Sequence, residues 1–368
     1  MEHKKGRALR LAVSWGEAVR ARWKIEWRAA TLAIFTIALA SSAHAQSVEA
    51  FYRGKTIRLI VGSSAGGSTD ILARLLARQM GKYLPGNPAI VVVDQPGGGG
   101  LVGANRIAHA TGADGLEFAT MERAIPQFAL MGDPNAHFDP LALTWLGSLS
   151  SYRNDAFMLV VNASSPVMRA QDLRGAGRGI VVGASQQGST NLTFALIARQ
   201  VLGLNVQAIP GYAGSAKIAL AMQSGEVDGE CIGIVALQAS QRALWDNKGL
   251  RPLVQFARAA RHPELPDVPT GRELAPTPEA RALLDFAEMP FYMAQSFVAP
   301  PGVPQERAEA LRAAFTRATQ DPEYSAEAQR LDLDNSPIDH TEIEDLLRRA
   351  AATPQSVISQ FERLVSQK

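Results

Sequence analysis

A loop of glycine and hydroxyl residues separates an apolar run from an amphipathic segment within Ile57 to Arg74. Gly66 and Gly67 permit positive φ and close approach of a ligand, and Ser68 or Thr69 can cap a helix that begins there. The free N–H groups of a first helical turn bind anions, with help from the helix dipole. The segment therefore predicts an anion site, although an ordinary strand-to-helix turn has the same pattern.

The same loop contains Gly62-x-Ser64-x-Gly66, the nucleophile-elbow pattern of α/β hydrolases. An elbow serine follows several earlier strands that supply part of the oxyanion hole, and the stretch before Ser64 is too short for them. His109, His137, His262 and His340 show no Asp-then-His arrangement with it. We predict no catalytic residue, and a secreted serine esterase using Ser64 remains an alternative function.

Two further loops rich in glycine or hydroxyl groups follow apolar runs. Pro96 to Gly103 contains four consecutive glycines, and Ser185 to Asn191 has the sequence SQQGSTN. Neither ends in Gly-Lys-Ser/Thr, and neither has the G-x-G-x-x-G spacing of dinucleotide sites. We therefore predict no cofactor, and the loops favour an anionic ligand in a crevice at the carboxyl ends of strands.

Single residues near these loops extend the predicted site. Arg123 follows an apolar run and can grip a carboxylate in a bidentate fork, or pair with Glu122. Asp70 belongs to a first helical turn, where it stabilises the helix or acts through water. Tyr212 can stack on a ligand or join the core. The predicted ligand-binding residues are Ser63, Ser64, Gly67, Ser68, Thr69, Asp70, Arg123, Ser185, Gln186, Ser189, Thr190, Asn191 and Tyr212.

Short apolar runs typical of strands alternate with helical patterns along the chain, and the loops between them carry these residues. This alternation predicts α/β units with mostly parallel sheets. Ile71, Leu72, Leu75, Leu76 and Met80 form the apolar stripe of the first helix. The C-terminal quarter of the chain turns helical. The predicted strands are Thr56 to Gly62, Ala89 to Gln95, Leu116 to Met121, Leu143 to Leu149, Phe157 to Asn162, Gly179 to Ser185, Val206 to Pro210, Val227 to Ile232, Arg251 to Phe256 and Gln295 to Ala299.

Residues 1–45 have the layout of a secretory signal. Eight Lys/Arg precede the apolar stretch Ala29 to Ala40, and Ala43-His44-Ala45 is a small-x-small cleavage site. The stretch is shorter than the roughly 20 residues of a membrane span, so a signal cleaved after Ala45 is favoured over an uncleaved anchor. We predict export to the periplasm.

The composition of the remaining chain limits its partners. The full chain has 37 Lys+Arg and 35 Asp+Glu, and removal of the signal's eight basic and three acidic residues leaves a net charge of about −3. Nucleic-acid binding needs clustered basic residues, so we predict none. Cys231 is the single cysteine, which rules out an internal disulfide and paired-thiolate metal sites. The length predicts two lobes.

Six segments in register resemble the receptors of tripartite tricarboxylate transporters, also called Bug-type binding proteins. The likeness spans nearly all of the chain after the signal. Members of that family commonly carry prolines where this chain has Ser63, Ser64 and Ala65. The segments are Gly66 to Asp70, Pro96 to Gly103, Gly188 to Thr190, Gly214-Ser215 with Gly225 to Asp228, Leu265 to Thr270, and Ala299 to Pro304.

The resemblance implies a two-lobed type II periplasmic-binding-protein fold, with two mostly parallel sheets flanked by helices and a ligand cleft between the lobes. It places the first lobe at 46–150 and 256–368 and the second lobe at 151–255, with a hinge near Ser150 and Phe256. The loops after the first and sixth strands would face each other across the cleft.

The function that the resemblance implies is capture of a small carboxylate, a di- or tricarboxylate or an aromatic acid, by hinge closure. The carrier, a monomer, would deliver it to the membrane permease subunits of a tripartite transporter. A ligand-presenting sensor subunit for a membrane kinase has the same fold and is an alternative.

Overall fold

The computed structural model describes residues 47–366 except Ala176 and Asp332, and it does not describe the side chains of Ser68 and Ala239. The predicted signal and its cleavage site lie outside the described residues.

All ten predicted strands are confirmed, with bounds that differ by at most a few residues. An additional short strand, β11, was not predicted. The strands are β1 (Thr56–Val61), β2 (Ala89–Asp94), β3 (Glu117–Glu122), β4 (Thr144–Ser148), β5 (Phe157–Asn162), β6 (Ile180–Gly183), β7 (Val206–Ile209), β8 (Gly229–Gly233), β9 (Leu250–Phe256), β10 (Gln295–Ala299) and β11 (Ile338–Asp339).

The strands form two mixed sheets. The first has the order β11-β4-β10-β3-β1-β2 and the second has the order β7-β6-β8-β5-β9. β1 is parallel to β2 and β3, whereas β10 is antiparallel to β3 and β4. In the second sheet, β6 is parallel to β7 and β8, and β5 is antiparallel to β8 and β9. The sheets are thus less parallel than expected, because β10 and β5, on which the chain enters each sheet from the other, run antiparallel to both of their neighbours.

Helices flank both sheets. None of the helices in the described chain combines the length and apolar character needed to cross a membrane. The α-helices are α1 (Val48–Tyr52), α2 (Ser68–Tyr83), α3 (Leu101–Ala108), α4 (Ile125–Leu130), α5 (Thr190–Gln200), α6 (Ser215–Ser224), α7 (Ile234–Asp246), α8 (Gly271–Leu274), α9 (Pro278–Tyr292), α10 (Gln305–Thr319), α11 (Pro322–Arg330), α12 (His340–Ala351) and α13 (Gln355–Val365).

The predicted apolar stripe of α2 faces the interior. Leu72, Leu75, Leu76 and Met80 are buried, while Ile71 at the edge of the stripe is 38% exposed. Aromatic rings fill the first sheet's core: the Phe297 ring centroid lies 6.4 Å from that of Phe118 and 5.7 Å from that of Phe315. These large rings fix α10 against the sheet, because interdigitated cores tolerate little change in shape.

Two segments carry the chain between the sheets. The first runs from the end of β4 to Phe157 at the start of β5, and the second leaves β9 after Phe256. Each contains a residue other than glycine in the left-handed region, with φ of 60° at Tyr152 and 59° at Ala257. Such residues cost roughly 1–2 kcal/mol, so surrounding contacts must hold both crossing segments in this form.

Candidate functional site

The side chain of Asp70, in the first turn of α2, stabilises the loop that follows β1. The Asp70 carboxylate accepts a hydrogen bond from Gly66 N at 2.7 Å and pairs with Arg74 Nε at 2.7 Å. Arg74 in turn reaches Asp94 Oδ2 at 2.9 Å. Asp70 is buried, so in this structure its carboxylate shapes the loop. A ligand contact by Asp70 stays a prediction.

Helix α2 begins at Ser68 with Gly67 as its N-cap, and no side chain that the structure describes caps it. Of the two predicted caps, Ser68 or Thr69, the Thr69 hydroxyl donates instead to Glu122 Oε1 at 3.4 Å, and the Ser68 side chain is not described. Ser63 Oγ is buried and has no hydrogen-bond partner in the described chain. Backbone N–H groups and one hydroxyl of this loop are therefore open to a further acceptor.

The glycine loop after β2 packs directly on the loop after β1. A Cβ at Gly62 would lie 3.0 Å from Gly100 Cα, and a Cβ at Gly100 would lie 2.6 Å from Glu122 Cγ. Gly100 also has φ of 94°. Glycine is required at these positions because the two loops and the end of β3 converge there. Burial raises the pKa of Glu122, and the Thr69 hydroxyl and the Arg123 charge oppose that shift.

In the second lobe, Asn191 organises the loop after β6. Its Oδ1 accepts from Ser185 N at 3.1 Å and from Ser189 Oγ at 2.7 Å, and its Nδ2 donates to Ser185 Oγ at 3.1 Å. Ser189 is the N-cap residue of α5, and its side chain does not cap that helix. Gln186 is exposed and Thr190 is half-buried at the first turn. Asn191 Oδ1 also accepts from the first-turn Leu192 N at 2.9 Å, so one side chain connects the loop to the start of α5.

The helices that follow the parallel strands are not capped by their own N-cap side chains. α2, α3, α5, α6 and α7 each follow the carboxyl end of a strand that is parallel to β1 or β6, and none has a side-chain cap from its N-cap residue. In α7 the Val235 N–H donates to Asp155 Oδ1, and in α5 the Leu192 N–H donates to Asn191 Oδ1. Elsewhere, Thr270, Thr277, Asp321 and Asp339 cap their helices, whereas α10 and α13 also have no side-chain cap. First-turn N–H groups without a cap need another acceptor, and in both lobes such groups lie at the carboxyl ends of the parallel strands.

Tyr212 borders this region through its ring. Its hydroxyl donates to Glu226 Oε1 at 2.5 Å, and that hydrogen bond raises the pKa of Tyr212. A Cβ at Gly183 would lie 3.3 Å from the Tyr212 ring. The hydroxyl is therefore engaged within the second lobe, and only the ring is available to a ligand.

Arg123 stands immediately after β3 and meets an aromatic cluster. Its guanidinium carbon lies 4.6 Å from the centre of the Phe291 ring. Phe291 contacts Tyr152 at 4.9 Å and Phe194 at 5.5 Å between ring centroids. Phe194 belongs to α5, so the cluster joins Arg123 of the first lobe to the helix that follows the second-lobe loop.

The Tyr152 hydroxyl lies between Arg123 and Asp155, and it interacts with both. Burial raises the pKa of Tyr152, and the Asp155 charge adds to that shift while Arg123 opposes it. Burial also raises the pKa of Asp155 to about 6, although the N–H groups of Ala156 and Val235 stabilise its charged form. A polar chain thus runs from Arg123 through Tyr152 to the start of α7.

The structure separates the predicted residues into two groups and supplies the link between them. The first-lobe group follows β1 and β3, the second-lobe group follows β6 and β7, and the crossing segments lie between them. Sequence analysis missed the linking residues Tyr152, Asp155, Phe194 and Phe291. Tyr152 has a left-handed φ in the structure. Nothing in a sequence indicates that backbone conformation at a tyrosine, so Tyr152 could not be found from the sequence.

Two lobes joined by two crossing segments, with glycine and hydroxyl loops at the carboxyl ends of their parallel strands, are the architecture typical of solute-binding proteins. The model of the tripartite tricarboxylate transporter family receptor matches residues 72–362. The chain belongs to this family, and it is a solute-binding protein and not an enzyme.

Relatives extend over most of the chain. A protein encoded beside the gbd region of Cupriavidus necator is 28% identical over 312 residues, 83% of this chain and 86% of its own length. A ligand-free TctC solute-binding protein from Polaromonas has a TM-score of 0.66 and 21% identity, covering 84% of this chain and 99% of its own. An R. palustris protein solved with adipate has a TM-score of 0.51 and 22% identity, covering 84% and 96%. The two solved structures establish the two-lobed fold.

Proposed function

We propose that this protein captures a small organic carboxylate between its lobes and delivers it to the membrane subunits of a tripartite transporter. The observation that carries the proposal is that Arg123, at the end of β3, contacts the aromatic cluster that reaches α5 of the other lobe, while the helices after the parallel strands of both lobes lack N-cap side chains. The family to which the chain belongs supports delivery to a tripartite transporter. The adipate seen in the R. palustris relative is consistent with a dicarboxylate ligand.

Each lobe supplies hydroxyl groups and backbone N–H groups that can donate hydrogen bonds to a carboxylate. In the first lobe we assign contacts to Ser63, Ser64, Gly67, Ser68 and Thr69, and in the second lobe to Ser185, Gln186, Ser189 and Thr190. Arg123 forms the countercharge at the base, and the Tyr212 ring forms a wall. Asp70 and Asn191 hold the two loops in shape.

The donors are sufficient for useful affinity. A micromolar dissociation constant corresponds to about −8 kcal/mol, and hydrogen bonds to charged groups contribute roughly 1.5–3 kcal/mol each. Several donors and burial of the ligand's carbon skeleton reach this value after ordering costs are subtracted. Closure follows because a ligand bridging both lobes stabilises the closed state. The carrier acts as a monomer, with lobes at 46–150 plus 256–368 and at 151–255.

A thermal-shift screen tests the proposal. The protein is unfolded and refolded to remove bound ligand, and then heated with mono-, di-, tri- and aromatic carboxylates. A ligand that binds only the folded state adds about 2.7 kcal/mol at a hundredfold excess over its dissociation constant. The primary amides of the same acids are the matched controls, because they keep the shape and lose the charge.

A selective rise in melting temperature with one class of carboxylate, absent with its amides, is the expected result. A folded, empty protein that responds to no carboxylate contradicts the proposal. Equal shifts with an acid and its amide would also contradict it, because recognition would then not depend on the anion.

A further inference from the structure

A second cavity lies on the other side of the hinge. Its volume is about 910 Å³, and none of the predicted ligand-binding residues lines it. The crossing segments line it with Tyr152 and Arg258, and α9 and α12 line it with Met289 and Leu346. We call it the rear cavity, and its volume is typical of sites for small molecules.

The strand order fixes its position. In the first sheet, β3 and β1 lie on one side of β10 and β4, and β11 lies on the other. The predicted ligand loops follow β1 and β3, whereas Ile338 of β11 lines the rear cavity. In the second sheet, β8 and β6 lie on one side of β5, and β9 lies on the other. The cleft and the rear cavity therefore flank the same hinge.

Arg258 gives the rear cavity a positive charge that forms no salt bridge with a carboxylate of the described chain. Its Nη1 donates to the carbonyl oxygens of Arg153 at 2.8 Å and Asp155 at 2.9 Å, and its Nε donates to Ala260 O at 3.0 Å. Carbonyl groups accept hydrogen bonds and carry no net charge. Partial burial lowers the pKa of Arg258, and the nearby Asp155 charge only partly opposes that shift.

The other arginines of the cavity have carboxylate partners. Arg153 pairs with Glu342 at 2.9 Å, Arg272 pairs with Asp285 at 2.8 Å, and Arg349 pairs with Asp345 at 2.8 Å. These pairs leave the charge of Arg258 as the feature that a ligand can neutralise. The apolar part of the wall is formed by Phe286, Met289, Leu346 and several alanines.

The hinge relates the two sites mechanically. A rotation that brings the loops after β1 and β6 together moves apart the elements on the opposite side of the crossing segments. The rear cavity is thus larger when the cleft is closed. A molecule or side chain that fills the rear cavity disfavours the open cleft, whichever of the two states this structure is in.

We propose that the rear cavity is a second ligand site, that it binds an organic anion with an apolar body against Arg258, and that its occupancy favours closure of the cleft. The binding part stands without the function proposed above. Only the physiological consequence, tighter retention of the transported carboxylate, rests on it.

Fluorescence titration with 8-anilinonaphthalene-1-sulfonate tests the binding part, since this probe is an apolar anion. Ala282→Trp fills the rear cavity from α9, and Arg258→Gln removes the charge while keeping a donor for the carbonyl oxygens. Leu220→Trp is the matched control, because Leu220 is 56% exposed on α6 and does not line the cavity. Circular dichroism checks that each variant is folded.

One probe site in the wild type, weakened at least about tenfold by both rear-cavity variants and unchanged in Leu220→Trp, is the expected result. A folded wild type that binds no probe, or an Ala282→Trp protein that binds like the wild type, overturns the site. Unchanged binding in Arg258→Gln overturns its preference for anions.

Small-angle X-ray scattering tests the linkage to closure without any transported ligand. The radius of gyration should fall when the probe saturates the wild type and should already be smaller in Ala282→Trp. An unchanged or larger radius in both cases overturns the linkage. Failure of the carboxylate screen would leave these two results standing, so the two proposals fail separately.

Discussion

Gln241 donates a hydrogen bond from Nε2 to Glu230 Oε1 at 2.5 Å inside the second lobe. Both side chains are buried, and each keeps one oxygen, Glu230 Oε2 and Gln241 Oε1, without a partner in the described chain. Burial raises the pKa of Glu230 to about 7, although hydrogen bonds from Gln241 and Ser215 favour its ionised form.

Glu230→Gln should therefore remove a pH dependence of stability. The folded protein holds the Glu230 proton up to about pH 7, whereas the unfolded chain releases it near the ordinary value of 4.5. The stabilisation of the folded state by this proton is complete below about pH 4.5 and is lost as the pH rises through 7. At pH 8 the variant should be more stable by about 1–3 kcal/mol, with little difference at pH 5. Denaturant unfolding at both values measures this.

Glu309→Gln is the control for that experiment, because Glu309 is exposed on α10. It should leave the difference between pH 5 and pH 8 as in the wild type. A Glu230→Gln protein that loses stability in parallel with the wild type would show that Glu230 is ionised throughout this range.

Arg123→Lys should weaken binding of the carboxylate found by the screen by about tenfold or more, because an ammonium group keeps the charge and loses the bidentate fork. It also loses the stacking on Phe291. Calorimetric titration measures the dissociation constant. Arg330→Lys, on the exposed end of α11, should bind like the wild type, and equal affinity in all three proteins would remove Arg123 from the site.

Tyr152→Phe should weaken ligand binding by about threefold to tenfold while leaving the fold intact, since one hydrogen bond contributes roughly 1 kcal/mol. The ring contact with Phe291 remains, and only the hydroxyl between Arg123 and Asp155 is removed. The same titration measures the change.

Tyr83→Phe provides the comparison, because its hydroxyl bonds Asp321 outside the cleft. Unchanged affinity is expected there. If both variants change affinity equally, the effect of Tyr152 is general and does not reflect the orientation of Arg123.

Gly100→Ala should destabilise the protein by about 2–4 kcal/mol, because it combines left-handed strain with overpacking. The added Cβ would lie 2.6 Å from Glu122 Cγ. Gly99→Ala has similar strain, with φ of 63°, and its Cβ meets nothing within 4 Å. That variant should cost only about 1–2 kcal/mol. If Gly100→Ala and Gly99→Ala had equal free energies of unfolding, the glycine loop would be loosely packed around Gly100.

The sequence by itself determined the ten main strands, the order of the elements and the loops that follow them. Each of these depends on a local pattern: alternating apolar runs become strands, and glycine or hydroxyl residues end them. The loop at Gly66 could be found because its glycines and its helix lie next to each other in the chain. The predicted site contacts follow from the same local signals, and they remain to be tested.

Only the tertiary structure decided which residues link the two halves of the site. Arg123, Tyr152 and Phe291 are far apart along the chain, and their contact depends on how the crossing segments place β5 and α9. The same is true of Arg258, whose neutral partners are backbone carbonyls of the other crossing segment. Sequence patterns report which face of an element is buried, but contacts between distant elements depend on packing that no local pattern contains.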